Sequence, residues 1–312
     1  MKKGLSILLK SIAALLIVIV LFFAVVFVVN IISSKAELKK IDQYGQLVPV
    51  DGKKMNVLIQ GSGEETVVLL TGYGTGAPAL DFKPLVDELS PNYKVVVVEP
   101  FGYGLSDLTD KERTSDNIVS EIHEALQQLG IKRYTLMGHS IAGIYGLDYV
   151  NKYKDEVTAF VGIDSSVPNQ GGLDDEIPVG TLKFLDKSGI VRLFQKIGGD
   201  PYAGLSFDEH TKQQMKMIAT KNSNNDTVVN EIKHFKENFI AAQALTFPKE
   251  LPLLLFVQSN NTDVEGWMQL HEEQVKDSVY GKLVPLEGGH YLHHTLSKEI
   301  AKDYREFMAG VK

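Results

Sequence analysis

Ser140 lies in the run Tyr134-Thr-Leu-Met-Gly-His-Ser-Ile-Ala-Gly143, after a short apolar stretch that reads as a buried strand and before a helical pattern. A serine on so sharp a strand-to-helix turn is held in a strained backbone conformation. Its neighbours two before and two after must then be small, as Gly138 and Ala142 are. The chemistry this suits is nucleophilic attack on an acyl carbon; the simpler alternative is a serine that only caps the following helix. A serine nucleophile needs a base, and the chain offers eight histidines, at positions 123, 139, 210, 234, 271, 290, 293 and 294. There is no cysteine, which removes disulfides, thiolate metal sites and a cysteine nucleophile. No H-E-x-x-H, no Asp/His set with ligand spacing, no P-loop and no strand-linked G-x-G-x-x-G occurs, so neither metal nor cofactor is expected.

The elements that must position these residues alternate. Short β-branched or apolar runs at 56–59, 67–70, 95–98, 134–137, 159–163, 253–257 and 283–286 read as strands. Helical patterns lie between several of them. The clearest is 115–129, where Ile118, Ile122, Ala125, Leu126 and Leu129 mark one face and Gly130 supplies the stop. Strand alternating with helix predicts an α/β fold whose mostly parallel sheet has helices on both faces. The rhythm breaks between Asp164 and Leu251, where no strand is evident and Leu182, Leu185, Val191, Phe194 and Ile197 suggest amphipathic helices. Residues 165–250 are therefore read as a helical cap insertion, with a loop at Asn222–Asp226, and 41–164 with 251–312 as the core.

Residues 1–40 form a separate piece. Ser11–Ile32 comprises 22 almost wholly apolar positions, enough to span a bilayer as a helix. Lys2, Lys3 and Lys10 precede it with no acid among them, whereas Lys35, Lys39 and Lys40 are partly offset by Glu37 and Asp42. This bias predicts a cytoplasmic N-terminus and an extracytoplasmic catalytic part. A cleaved signal peptide competes, but its apolar region is usually about 7–15 residues and ends in a small-x-small site, to which Ser34-Lys35-Ala36 conforms poorly. The formal charge of the chain is −7; with six Lys and one Glu in residues 1–40, the remainder carries −12, which disfavours nucleic acid as a partner. The expected partners are a small acyl substrate and, through the first helix, a membrane; oligomeric state is not legible.

Four motifs in order carry a family resemblance: Leu69-Leu-Thr-Gly-Tyr-Gly74, Val95-Val-Val-Val-Glu-Pro-Phe-Gly-Tyr-Gly-Leu-Ser-Asp107, Gly138-His-Ser-Ile-Ala142 and Gly288-Gly-His290. Over residues 45–312 the chain resembles the α/β-hydrolase family, in its serine-nucleophile, cap-bearing, esterase- or lipase-like branch. Thr71 and Glu99 stand where that family more often has His and Asp. The resemblance implies an eight-stranded sheet with a cap after the sixth strand, Ser140 as nucleophile, and backbone N–H groups of Tyr73 and Ile141 as an oxyanion hole. His290, after the last strand through Glu287-Gly-Gly, completes the family's order of serine, acid and histidine. For the acid, Asp263 is the first choice, 27 residues before His290 as is familiar in the family. Asp164, at the end of the preceding strand, is the alternative that some relatives use.

A serine at the elbow points away from dehalogenases and epoxide hydrolases, which place aspartate there. The expected reaction is hydrolysis of a carboxylic ester through an acyl-enzyme. Alternatives are an amide or peptide hydrolase, a non-hydrolytic relative such as a lyase or peroxidase, and a membrane-tethered scaffold without catalysis.

Overall fold

In the computed structural model, which describes residues 2–172 and 178–311, the β-branched runs pair into one eight-stranded sheet. The strands are β1 (Gln46–Val50), β2 (Lys53–Gln60), β3 (Thr66–Leu70), β4 (Lys94–Glu99), β5 (Tyr134–His139), β6 (Val157–Ile163), β7 (Leu253–Gln258) and β8 (Gly281–Leu286). Their spatial order is β1-β2-β4-β3-β5-β6-β7-β8. The pairs β1·β2 and β2·β4 are antiparallel and every other pair is parallel. Seven of these strands fall on the runs expected from sequence. β1 does not: its QLVPV sequence contains Pro49, which gives no ladder N–H and is tolerated because β1 is an edge strand.

The helices are α1 (Lys2–Leu38), α2 (Pro78–Asp81), α3 (Lys83–Leu89), α4 (Ser115–Gln128), α5 (Ala142–Lys152), α6 (Val179–Ser188), α7 (Ile190–Ile197), α8 (Glu209–Asn222), α9 (Asp226–Lys233), α10 (Phe235–Ala242), α11 (Trp267–Lys276), α12 (Leu292–Thr295) and α13 (Ser297–Val311). Among the described residues, β6 and β7 are joined by helices alone, α6 to α10, as expected of an insertion.

The chain divides into two compact units. The larger, Asp42–Ile177 with Gly204–Lys312, holds the whole sheet. Side chains alternate across the strands as a period of two requires. Val68, Val96, Val98 and Leu136 enter one buried layer with Ile118 and Leu126 of α4, Leu147 of α5 and Trp267 of α11. Val67, Val95, Val97 and Met137 enter the other with Leu85 and Leu89 of α3 and Ile300 and Tyr304 of α13. The smaller unit joins α1 with Pro178–Ala203, carrying α6 and α7. The expected boundaries of 1–40 for an anchor and 165–250 for a cap therefore differ from the compact units. Helices α8 to α10 belong with the core, and α6 and α7 with the N-terminal helix.

Glu99 is fully buried and accepts from Tyr44 Oη (2.9 Å), Asn56 Nδ2 (2.9 Å), Ala79 N (3.1 Å) and Leu105 N (2.8 Å). Burial raises its carboxyl above the usual range, although these donors act to lower it. Gly104 closes the turn beside it at φ +52°, where a Cβ would lie 1.8 Å from the Glu99 carboxylate. Gly104→Ala is thus expected to cost roughly 2 kcal/mol or more, combining left-handed strain with disruption of a buried hydrogen-bonded acid. A denaturant midpoint equal to the parent's would contradict this packing.

Candidate active site

The elbow forms as its sequence requires. Ser140 has φ +56°, an uncommon conformation for a residue with a side chain, between the end of β5 and the start of α5. A Cβ on Gly138 would sit 3.0 Å from the Ala142 carbonyl oxygen, and one on Gly143 would sit 2.3 Å from that of Ser166. The turn therefore closes only with small residues at both places. The Ser140 carbonyl accepts from Gly143 N (2.9 Å) and Ser166 N (2.8 Å), which fixes the turn between β5, α5 and the segment after β6.

His290 lies in the turn between β8 and α12, with its side chain 44% exposed. Its Nδ1 is 2.7 Å from Asp164 Oδ2. A carboxylate oxygen accepts, so Nδ1 carries the proton and Nε2 is left with the lone pair of a base. The acid that meets His290 is thus Asp164, the alternative, and not Asp263. Asp164 is fully buried at the end of β6, at φ +42°. Its Oδ1 accepts from Gln258 N (3.0 Å) and from the indole N–H of Trp267 (2.8 Å), so both carboxylate oxygens are held. Asp263 is exposed. Its loop folds instead as a local turn in which Asn261 Oδ1 accepts from Asp263 N (2.9 Å) and Val264 N (3.0 Å).

The turn after β3 backs directly on the elbow: a Cβ on Gly72 would lie 2.9 Å from Ser140 Cβ. Tyr73 and Ile141, expected as oxyanion donors, are the residues immediately after Gly72 and Ser140. Among the described residues, neither backbone N–H donates to a protein acceptor. The Tyr73 ring packs edge-on against Phe235, 4.8 Å between centroids.

Several of the other histidines hold this site together. His139 is buried, its Nε2 3.1 Å from the His290 carbonyl oxygen, which must accept. Its ring lies 4.6 Å from that of His290. His293 and His294 each bond Asp81 through Nε2, at 2.7 and 2.8 Å, tying α12 to α2. These three are the one group among the described residues with metal-ligand character; both Nε2 atoms are taken up by the Asp81 carboxylate, while His293 Nδ1 is buried without a hydrogen-bond partner. His271 bonds the carbonyls of Trp267 (2.7 Å) and Ser165 (2.8 Å), bracing the segment next to Asp164.

Burial lowers the basicity of His139, His271 and His293. For Asp81 burial opposes ionisation, but the bonds from His293 and His294 outweigh it and hold the carboxyl well below the usual range. A histidine whose folded basicity is depressed takes up its proton more readily when unfolded, so folding stability is lost as pH falls below about 6.5. Each such group costs up to about 1.4 kcal/mol per pH unit until its own folded value is reached. Asp81 adds a loss in the same direction at more acid pH. Thermal melts are expected to fall clearly between pH 7.5 and pH 5, and a flat profile would contradict neutral buried imidazoles.

The order of strands, the elbow after β5 and the histidine turn after β8 now stand together, and residues 65–243 match the family model for the alpha/beta hydrolase fold. The chain belongs to the α/β-hydrolase family. It is 30% identical to the uncharacterized protein YbdG of Bacillus subtilis over 332 aligned positions, covering 99% of this chain and 98% of that one. Among solved structures of this hydrolase fold it resembles a membrane phospholipase A described as a bacterial virulence factor. That likeness has a TM-score of 0.66 and 17% identity, covering 100% of this chain and 99% of the other. It also resembles the serine hydrolase CarC of carbazole degradation, with a TM-score of 0.61 and 19% identity, covering 85% and 98%.

Proposed function

We propose that this α/β-hydrolase is a membrane-tethered serine esterase acting through an acyl-enzyme on Ser140, with His290 as base and Asp164 as acid. The observation that carries the reading is the buried Asp164 carboxylate bonded at 2.7 Å to an exposed histidine beside a strained serine elbow. His290 Nε2 takes the Ser140 proton as Oγ attacks the acyl carbon. The oxyanion is received by the N–H groups of Tyr73 and Ile141, both left without a protein acceptor among the described residues. Collapse expels the alcohol with the proton from His290, and water, activated by the same nitrogen, then releases the acid. Asp164 keeps the imidazole in the required tautomer and stabilises its cation.

An ester is favoured over an amide because nothing in the sequence suggests recognition of a peptide amine. The full-length likeness to a membrane phospholipase A supports the same class. A series of p-nitrophenyl esters of increasing chain length is expected to show a burst of p-nitrophenol equal to the enzyme, followed by slower turnover. Hydrolysis without a burst at any chain length, with amides cleaved faster, would turn the reading toward an amidase.

The tether is α1, whose apolar run Ser11–Ile32 has no buried residue. The protein is expected to stay with membranes through an alkaline carbonate wash, and added protease should digest residues 41–312 in intact spheroplasts. A shortened, soluble mature form would show that the segment is a cleaved signal.

A further inference from the structure

α6 and α7 form a hairpin that runs along a single stripe of α1. Arg192 of α7, only 8% exposed, spends its whole guanidinium on that helix. Nε donates to Asn30 Oδ1 (2.8 Å), Nη2 to Ser34 Oγ (2.8 Å) and Nη1 to Glu37 Oε1 (2.5 Å). Positions 30, 34 and 37 lie on one helix face. The hairpin turn continues the stripe toward the N-terminus. Gly189, at φ +82°, fits so closely that a Cβ would lie 2.6 Å from Asn30 Cβ and 3.1 Å from the carbonyl oxygen of Val26.

Val26 belongs to the apolar run Ser11–Ile32 and Glu37 lies beyond it. At 1.5 Å per residue the two are about 16 Å apart along the axis, so the hairpin straddles the level at which the apolar run ends. Apolar side chains nevertheless point away from any protein cover: Phe184 is 65% exposed, Phe194 68% and Ile197 73%. Besides Arg192, which is spent on α1, residues 178–203 carry three lysines, Lys183, Lys187 and Lys196, against the acids Asp186 and Asp200, in a chain whose net charge is −7. Short helices with bare aromatic and aliphatic faces and more lysines than acids suit the headgroup layer of an anionic bilayer.

We infer that the α6–α7 hairpin is a membrane-surface element, clamped to the anchor by Arg192, with Phe184, Phe194 and Ile197 immersed in the interfacial layer of the bilayer that α1 crosses. The inference rests on α1 being a transmembrane anchor. A second copy of the chain or another protein is the competing cover for this face.

The absence of cysteine makes a clean test available, since single cysteines can be labelled in the full chain without background. Phe194→Cys, Ile197→Cys and, on the anchor, Leu21→Cys would each carry the environment-sensitive fluorophore NBD. Each variant would be reconstituted in phosphatidylcholine/phosphatidylglycerol vesicles with and without doxyl-labelled lipid. All three positions are exposed, and an unchanged melting temperature establishes that each variant is folded. The expected result is blue-shifted emission at 194 and 197, quenched most by doxyl groups near the headgroup, with Leu21 quenched most by doxyl groups deep in the acyl chain. Water-like emission at 194 and 197, or a blue shift that doxyl lipid does not quench, would overturn the inference while a deeply quenched Leu21 left the anchor standing. An unquenched Leu21 would remove the anchor and the inference with it.

Discussion

Ser140→Ala is expected to abolish ester hydrolysis, with a fall in kcat on the order of 10⁶, the scale seen when the nucleophile of a serine hydrolase is removed. The residual rate is what oxyanion donors and binding alone supply. Alanine keeps the Cβ, which is the atom of Ser140 that the Gly72 turn approaches, so the elbow itself is preserved. The melting temperature should therefore stay near the parent's while turnover disappears. The strained φ of +56° is borne by alanine as by serine, so the substitution isolates the loss of the hydroxyl.

The second large effect separates the two aspartates. Asp164→Asn is expected to lower kcat by about 10⁴, because an amide that offers N–H to Nδ1 stabilises the wrong imidazole tautomer. It also weakens the bonds that Asp164 accepts from Gln258 N and Trp267, so a modest loss of stability should accompany the rate effect. Asp263→Asn should leave kcat within about twofold and stability within about 0.5 kcal/mol, as for a surface residue without a special role. Measuring kcat and melting temperature for both variants decides between them. Collapse of turnover in Asp263→Asn with normal turnover in Asp164→Asn would require the loop after β7 to rearrange around His290.

The contrast between these aspartates marks what was legible in the sequence. Seven of the eight strands announce themselves because each contains a short apolar run, and α4 because Ile118, Ile122 and Leu126 recur at helical spacing. The elbow is legible because Gly138 is demanded by a local contact, against Ala142 four residues on, whereas the demand on Gly143 comes from Ser166 and shows only in the fold. The acid is not legible, because its choice rests on distant contacts. Asp164 is buried by a bond from Trp267, 103 positions later, whereas Asp263 is drawn into a local turn by Asn261. Spacing to His290 carries neither fact. The same holds for His139, which looks like elbow filler in sequence but holds the backbone of a residue 151 positions away. Arg192 reads as an ordinary basic residue on an amphipathic helix, and only the fold shows its three partners on α1.

The measurement that bears most directly on the central claim is peptide mapping by mass spectrometry after the full chain, in vesicles, is treated with a fluorophosphonate. The account predicts one adduct per chain, on the peptide containing Ser140. Its formation should be much slower in His290→Ala or Asp164→Asn and unchanged in Asp263→Asn. An adduct on another residue, or labelling of Ser140 that is indifferent to His290 and Asp164, would contradict the proposed catalytic assembly.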